Sequence, residues 1–276
     1  MRKRILLMND MPGYGKIALA AAGPVLSYMG YDTFCLPTAL VSNPLNYGTF
    51  TIRETTDYMR ESIQAWQKLG FSFDAVLTGF LASKDQAAFL ADFLEEQSRK
   101  GSLIFADPIM GDNGRLYNSI DRERIQIMRR IVSKADYIVP NYTESCCLAG
   151  VDWQEGGQSR ADFYRLIDLL REQGAKSVVI TSAMICGERA KPYRAVAGFD
   201  HRNGEYFMIP VEEVEGQFPG TGDIFAAILA GEVLADQSLK EAAQRAMDAI
   251  RRMLLKNQEQ VNALTAVPIE SCLELI

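Results

Sequence analysis

Short apolar runs alternate with helical patterns along most of the chain, and this alternation restricts the fold more than any other feature. The runs are Ile5–Met8, Thr33–Leu40, Ala75–Thr78, Leu103–Ala106, Tyr137–Val139 and Ser177–Ile180. Helical periodicity fills the intervals at about 16–29, 55–69, 86–100, 122–133 and 160–173, with a short helix from Asn141 to about Ala149. Runs that are apolar on both faces need cover above and below, and parallel neighbours need a crossover long enough to hold a helix. The pattern therefore predicts an α/β fold with three layers, α/β/α, around a mostly parallel central sheet. A chain of 276 residues, 48% of them hydrophobic, can bury one large core, so residues 1–276 read as a single domain. The rhythm breaks at Tyr193–Phe199 and Glu205–Pro210, which flank an Asn203-Gly204 turn and predict an antiparallel hairpin. From Gly222 onward helices are expected at about 223–234 and 239–257, followed by a tail at 269–275.

Composition removes several functions. A formal net charge of −6 opposes a sequence-independent grip on nucleic acid or on anionic lipid, which needs surplus Lys and Arg. The five cysteines, Cys35, Cys146, Cys147, Cys186 and Cys272, show no C-x-x-C spacing and accompany a single His, so neither a disulfide framework nor a zinc site is expected. A reducing, cytoplasmic setting fits that usage. Met1-Arg-Lys-Arg4 followed by Ile5–Met8 is too short in apolar length for a signal peptide and reads as a first strand. No apolar run approaches the roughly 18 residues of a membrane span.

In parallel sheets the ligand crevice lies beyond the carboxyl ends of the strands. The residues in that position are Asn9-Asp10, Thr78-Gly79, Asp107-Pro108, Asn141 and Thr181-Ser182. Singly, each is an ordinary strand-ending turn or helix cap; together they mark a site. The sharpest local feature is Gly220-Thr221-Gly222-Asp223 running into an apolar helix. Two glycines allow close backbone approach, and the free N–H groups and dipole of a helix start attract a phosphoryl group. Asp223 is either a favourable first-turn carboxylate or a base beside that cradle, and the company of the other polar strand ends favours the base. Met11-Pro-Gly13-Tyr-Gly15-Lys16-Ile17 lacks the Gly at position 10 and the hydroxyl at 17 that a P-loop requires, and reads as a turn beside the acceptor substrate. His201 is expected in a solvated turn and Cys146-Cys147 in apolar packing.

These motifs carry a resemblance. Gly220-Thr-Gly-Asp223 is similar to the G-T-G-D signature of the ribokinase-like superfamily. Asp107-Pro-Ile-Met-Gly-Asp112 resembles the D-P-V-x-G-D segment of pyridoxal kinases, Val139-Pro-Asn141-Tyr-Thr-Glu144 their T-P-N-x-x-E segment, and Ser42-Asn-Pro-Leu-Asn-Tyr47 their S-N-H-T-x-Y loop. The resemblance implies phosphorylation by ATP and Mg²⁺ of the 5′-hydroxyl of pyridoxal, pyridoxine or pyridoxamine, by a cytoplasmic homodimer. It implies Asp223 as catalytic base, with Gly220, Thr221 and Gly222 forming the anion hole. Asp112 and Glu144 would hold the metal, partly through water. Asp107, Asn141, Thr181 and Ser182 would line the nucleotide phosphates, and Ile209 and Val211 would border the adenine. The pyridine ring would lie near Asp10, Val41, Ser42, Gly79 and Tyr117. Three positions depart from the pattern: Asn9-Asp10 is closer to hydroxymethylpyrimidine kinases, Pro44-Leu45 replaces His-Thr, and Val139 replaces a Thr. The alternatives are a hydroxymethylpyrimidine or other small-alcohol kinase, or a weakly catalytic protein that binds a vitamer or nucleotide.

Overall fold

Within each predicted run, alternate side chains leave on opposite faces of the sheet. A computed structural model, describing residues 2–117, 122–187, 191–214, 218–258 and 266–276, shows both sets buried. Leu6, Met8, Val76, Ile104 and Ile138 enter one apolar cluster, while Ile5, Leu7, Leu77, Phe105 and Tyr137 enter the other. The strands are β1 (Arg4–Pro12), β2 (Asp32–Val41), β3 (Ile52–Glu54), β4 (Ala75–Thr78), β5 (Leu103–Ala106), β6 (Gly111–Asp112), β7 (Arg115–Leu116), β8 (Tyr137–Ile138), β9 (Ser177–Ile185), β10 (Tyr193–Asp200) and β11 (Glu205–Pro210). The helices are α1 (Leu19–Tyr28), α2 (Thr56–Lys68), α3 (Lys84–Arg99), α4 (Arg122–Val132), α5 (Tyr142–Ala149), α6 (Arg160–Glu172), α7 (Thr221–Leu234) and α8 (Leu239–Lys256).

Among the described residues the main sheet has nine strands in the order β11-β10-β9-β8-β5-β4-β1-β2-β3, and β6 and β7 form a separate small hairpin. The run from β2 to β9 is parallel; β3, β10 and β11 are antiparallel to their neighbours. Helices α2 to α6 cover one face, and α1, α7 and α8 cover the other. The three-layer expectation is met. Helix α7 is buried on almost every side, as its uniformly apolar sequence requires. No helix among the described residues is long and apolar enough to cross a membrane.

Two strands run further than their apolar runs. β1 continues past Asp10 because β2 keeps pairing after a register shift between Asn9 and Met11, and β9 continues to Ile185 because β10 resumes pairing beyond residues 181–182. Both extensions are β-bulges, which bend a strand and re-aim a side chain. Helix α1 begins at Leu19, three residues later than expected, because Ala18 sits at φ 49°. The hairpin forms with Gly204 at φ 73°, its N–H bonded to the Asp200 carbonyl at 2.9 Å.

Candidate active site

From β1 the chain goes to β2 on one side and later to β4 on the other. That reversal leaves an uncovered crevice at the carboxyl ends of β1 and β4. Asn9, nearly buried, occupies it. Its Oδ1 accepts from the N–H of Asp10 at 2.9 Å and of Phe80 at 2.7 Å, which leaves Nδ2 to donate to Asp223 Oδ1 at 3.2 Å. A Cβ at Gly79 would stand 2.4 Å from Asn9 Nδ2. Gly79 therefore makes room for Asn9, a role different from the ring contact its position suggested. Asn9 thus bonds Asp223 directly; its place directly after an apolar run set it among the polar strand ends without giving it a role of its own.

Asp223 is half-buried in the first turn of α7. Burial raises its carboxyl to about 6, opposed by hydrogen bonds from the Ala18 backbone and the Asn9 side chain. Gly220, the N-cap, lies at φ 89°, and a Cβ there would come within 2.6 Å of the Lys16 carbonyl oxygen. The glycine thus lets the segment before α1 close against the helix start and present the Ala18 amide to Asp223. Gly222 has open space where a Cβ would be. The first N–H groups of any helix lack an intrahelical acceptor; here the Asp223 N–H turns to its own carboxylate, and those of Thr221 and Gly222 stand at the helix start beside it.

Other carboxylates converge here. Asp10, at the β1 bulge, is buried; burial and the nearby Asp223 charge push it up to about 7. Asp107 is held well above the usual carboxylate range by burial and by the charges of Glu144 and Asp223. The Tyr117 hydroxyl is likewise pushed up by burial and by the charges of Glu144, Asp112, Asp107 and Asp223.

Asn141 and Glu144 form a capping box at the start of α5, each side chain bonded to the other's backbone N–H. Glu144 Oε2 accepts from the Asn141 N–H at 2.8 Å and Oε1 from the Met110 N–H at 2.9 Å. Asn141 Nδ2 donates to the Gly111 carbonyl at 2.8 Å. Both residues therefore fasten the β6–β7 hairpin, with Asp112 exposed upon it, to the end of the sheet. Burial raises Glu144 to about 8 against those backbone donors. Among the described residues no cluster of three or more His, Cys, Asp or Glu side chains could hold a metal. Thr181 bridges to Asn141, and Ser182 takes φ 57° in the β9 bulge, so both lie at the same sheet edge.

The acceptor side differs more from expectation. Val41 is buried in the core, and its carbonyl accepts from the Gly13 N–H at 2.7 Å. The exposed Ser42 hydroxyl is engaged within its own loop, donating to Asn43 Oδ1 at 2.7 Å and accepting from the Thr51 N–H at 2.8 Å. A Cβ at Gly15 would meet Pro44 at 3.3 Å, so the Gly13–Gly15 turn and the Val41–Pro44 loop pack together, with Tyr14 and Tyr47 edge to face across them. On the nucleotide side Ile209 is sealed in the core, where it has no surface for an adenine; half-buried Val211 is the accessible member of that pair. His201 is exposed, as expected, and bonds Ser177 at the opposite end of the sheet. Cys146 is buried and Cys147 packs against the same cluster.

A mostly parallel sheet between two helical layers, with a carboxylate at a helix start beside its switch point, defines a protein of the ribokinase-like class. Comparison with known proteins makes this particular: residues 27–268 match the model of the phosphomethylpyrimidine kinase family, and the chain belongs to that family. A Bacteroides thetaiotaomicron protein of the phosphomethylpyrimidine kinase type, crystallised with pyridoxal, is 31% identical with a TM-score of 0.93, covering 99% of this chain and 95% of that one. The pyridoxal kinase of Lactobacillus plantarum is 28% identical, with a TM-score of 0.86 over 99% of this chain and 95% of that one. Human pyridoxal kinase is 25% identical over 91% of this chain and 84% of its own length.

Proposed function

We propose that this chain phosphorylates the 5′-hydroxyl of a B6 vitamer, pyridoxal, pyridoxine or pyridoxamine, at the expense of ATP. The observation that carries the reading is Asp223, held by Asn9 and the Ala18 amide beside the Gly220–Gly222 cradle. Asp223 takes the proton of the acceptor hydroxyl. The hydroxyl oxygen bonds the γ-phosphorus as the bond from that phosphorus to the β,γ-bridging oxygen breaks, and ADP leaves. The helix-start N–H groups hold the charge of the transferring phosphoryl, so positioning and electrostatics supply most of the acceleration. A carboxylate raised to about 6 is ionised at neutral pH yet basic enough to take the proton.

Mg²⁺ keeps most of its waters and needs only one or two carboxylates beside the nucleotide phosphates. The residues suit that demand: Asp112 is open, and Glu144, whose two oxygens already accept backbone N–H groups, would act through water. Bound there, the ion would neutralise phosphate charge. Asp107, Thr181, Ser182 and Val211 border the nucleotide, and Asp10 and Tyr117 the acceptor ring. A homodimer and a cytoplasmic location belong to the same reading, and sedimentation of the purified chain tests the dimer.

With ATP and pyridoxal, Asp223→Asn is expected to lose about 10²–10⁴-fold in kcat. Turnover within tenfold of wild type would remove Asp223 from its role. A second reading, phosphorylation of a hydroxymethylpyrimidine, draws on Asn9-Asp10, on Pro44-Leu45 and on the name of the matched family. Release of ADP across a panel of alcohols separates the two, and preference for the pyrimidine would replace the first reading with the second.

A further inference from the structure

We propose that Asn9 is the positioning residue of the catalytic base: its amide holds one oxygen of Asp223 and leaves the other for the acceptor hydroxyl. This rests on the reading of Asp223 as the base. Three observations support it. The amide cannot turn over, because two backbone N–H groups, from Asp10 and Phe80, both bond Oδ1; a flipped amide would set donors against donors. Nδ2 is thereby committed to Asp223 Oδ1. The fold also keeps space for this side chain at the cost of a side chain elsewhere, since any Cβ at residue 79 would overlap Asn9. Asn9 and Gly79 are thus one device, built from the carboxyl ends of the two strands that flank the switch point.

The chemistry explains why an amide stands there. Asp223 is faced by Asp10 from β1, Asp107 from the end of β5 and Tyr117 from the segment after β7; on its remaining sides it has the Ala18 backbone and its own N–H. A Lys donor would neutralise the base by ion pairing, and a hydroxyl could turn its proton away. An amide fixed by two backbone donors gives a permanent hydrogen bond with no charge of its own. It keeps Asp223 ionised among like charges and keeps its free oxygen in one direction.

The sharp variant is Asn9→Asp. It preserves size and both acceptor bonds from the Asp10 and Phe80 N–H groups. It replaces the donor to Asp223 with a carboxylate oxygen, so it removes the hydrogen bond and adds a like charge beside the base; Gly79→Ala loosens the bond without adding charge. The acid limb of kcat for pyridoxal is expected to move up by at least about one pH unit, so that turnover falls on the order of tenfold or more further at pH 6 than at pH 9. The KM for ATP is expected to stay within about threefold of wild type. Gly79→Ala, which leaves every polar group present but displaces Asn9, is expected to move the limb in the same direction. The Asp223 carboxyl followed by carbon-13 NMR against pH gives the same displacement without turnover, so the inference remains testable if wild type proves inactive on B6 vitamers and the functional reading falls. An acid limb and an Asp223 titration that stay at their wild-type positions in folded Asn9→Asp would overturn the proposal, as would a loss of equal size at every pH.

Discussion

The two glycines of Gly220-Thr221-Gly222-Asp223 do different work, although the motif presents them alike. Gly220 is needed for its backbone: it holds φ 89°, and a Cβ would press on the Lys16 carbonyl at 2.6 Å. Gly222 meets no neighbour within 4 Å at its Cβ position and lies inside α7, where Ala is the better helix former by about 1 kcal/mol. Gly220→Ala is therefore expected to lower Tm by roughly 2–8 °C, from about 1–2 kcal/mol of left-handed strain plus displacement of residues 16–18. Gly222→Ala is expected to keep or raise Tm while lowering kcat, because its methyl group intrudes on the space the phosphoryl needs. Calorimetry beside ADP-release assays separates them, and equal losses of Tm in both variants would refute the division. Gly79 belongs to the same class as Gly220: its importance lies in what its missing side chain lets approach, which no single-sequence pattern displays.

At the scale of elements, α5 ties the β6–β7 hairpin to the sheet through its capping box. Asn141→Ala removes the cap and the bond to the Gly111 carbonyl together. A loss of about 0.5–2 kcal/mol in stability is expected, with a rise in the KM for Mg-ATP, because Asp112 sits on the loosened hairpin. An unchanged KM would mean that the hairpin does not position the metal side. The Asn141-x-x-Glu144 spacing was open to two readings, a capping box and a phosphate or metal pair. The residue types alone suggest the second, and the geometry adds the first. The order of strands and helices was legible because each run is apolar on both faces, and the Asn203-Gly204 hairpin because its turn chemistry is local. β3 was not legible: its three residues pair only with Ala39–Val41, too few for a period. β6 and β7, two residues each, are shorter still. The bulges at Asp10 and at 181–182 depend on a partner strand that resumes pairing, a property of two segments at once. For the same reason the site's polar residues were visible as strand endings, while the device that unites Asn9, Gly79 and Asp223 was not.

On the scale of the whole molecule, the carboxyl edge of the sheet gathers buried carboxylates whose ionisation costs the fold stability. Asp10 is raised to about 7, Asp223 to about 6 and Glu144 to about 8, burial being the first cause in each case. A carboxyl whose folded value lies above its unfolded one favours the folded state fully below the unfolded value, near pH 4, and that contribution is lost as pH rises through the folded value. The unliganded protein therefore carries the cost of ionising this group between about pH 4 and 8. Asp10 isolates the effect, being buried and close to Asp223 without being the base. Asp10→Asn, of nearly equal size, is expected to match wild type in Tm near pH 4 and to exceed it at pH 8. The gain is on the order of 1–3 kcal/mol, or several degrees, growing from about pH 4 and levelling off as pH passes about 7. Differential scanning calorimetry across that range decides it: a Tm difference independent of pH would show that Asp10 ionises as freely folded as unfolded. If the gain appears and pyridoxal turnover falls with it, the acidic crevice is stability surrendered to keep a base and its neighbours charged where substrate binds, and the pH at which the gain levels off reports the titration of Asp10 in the folded protein.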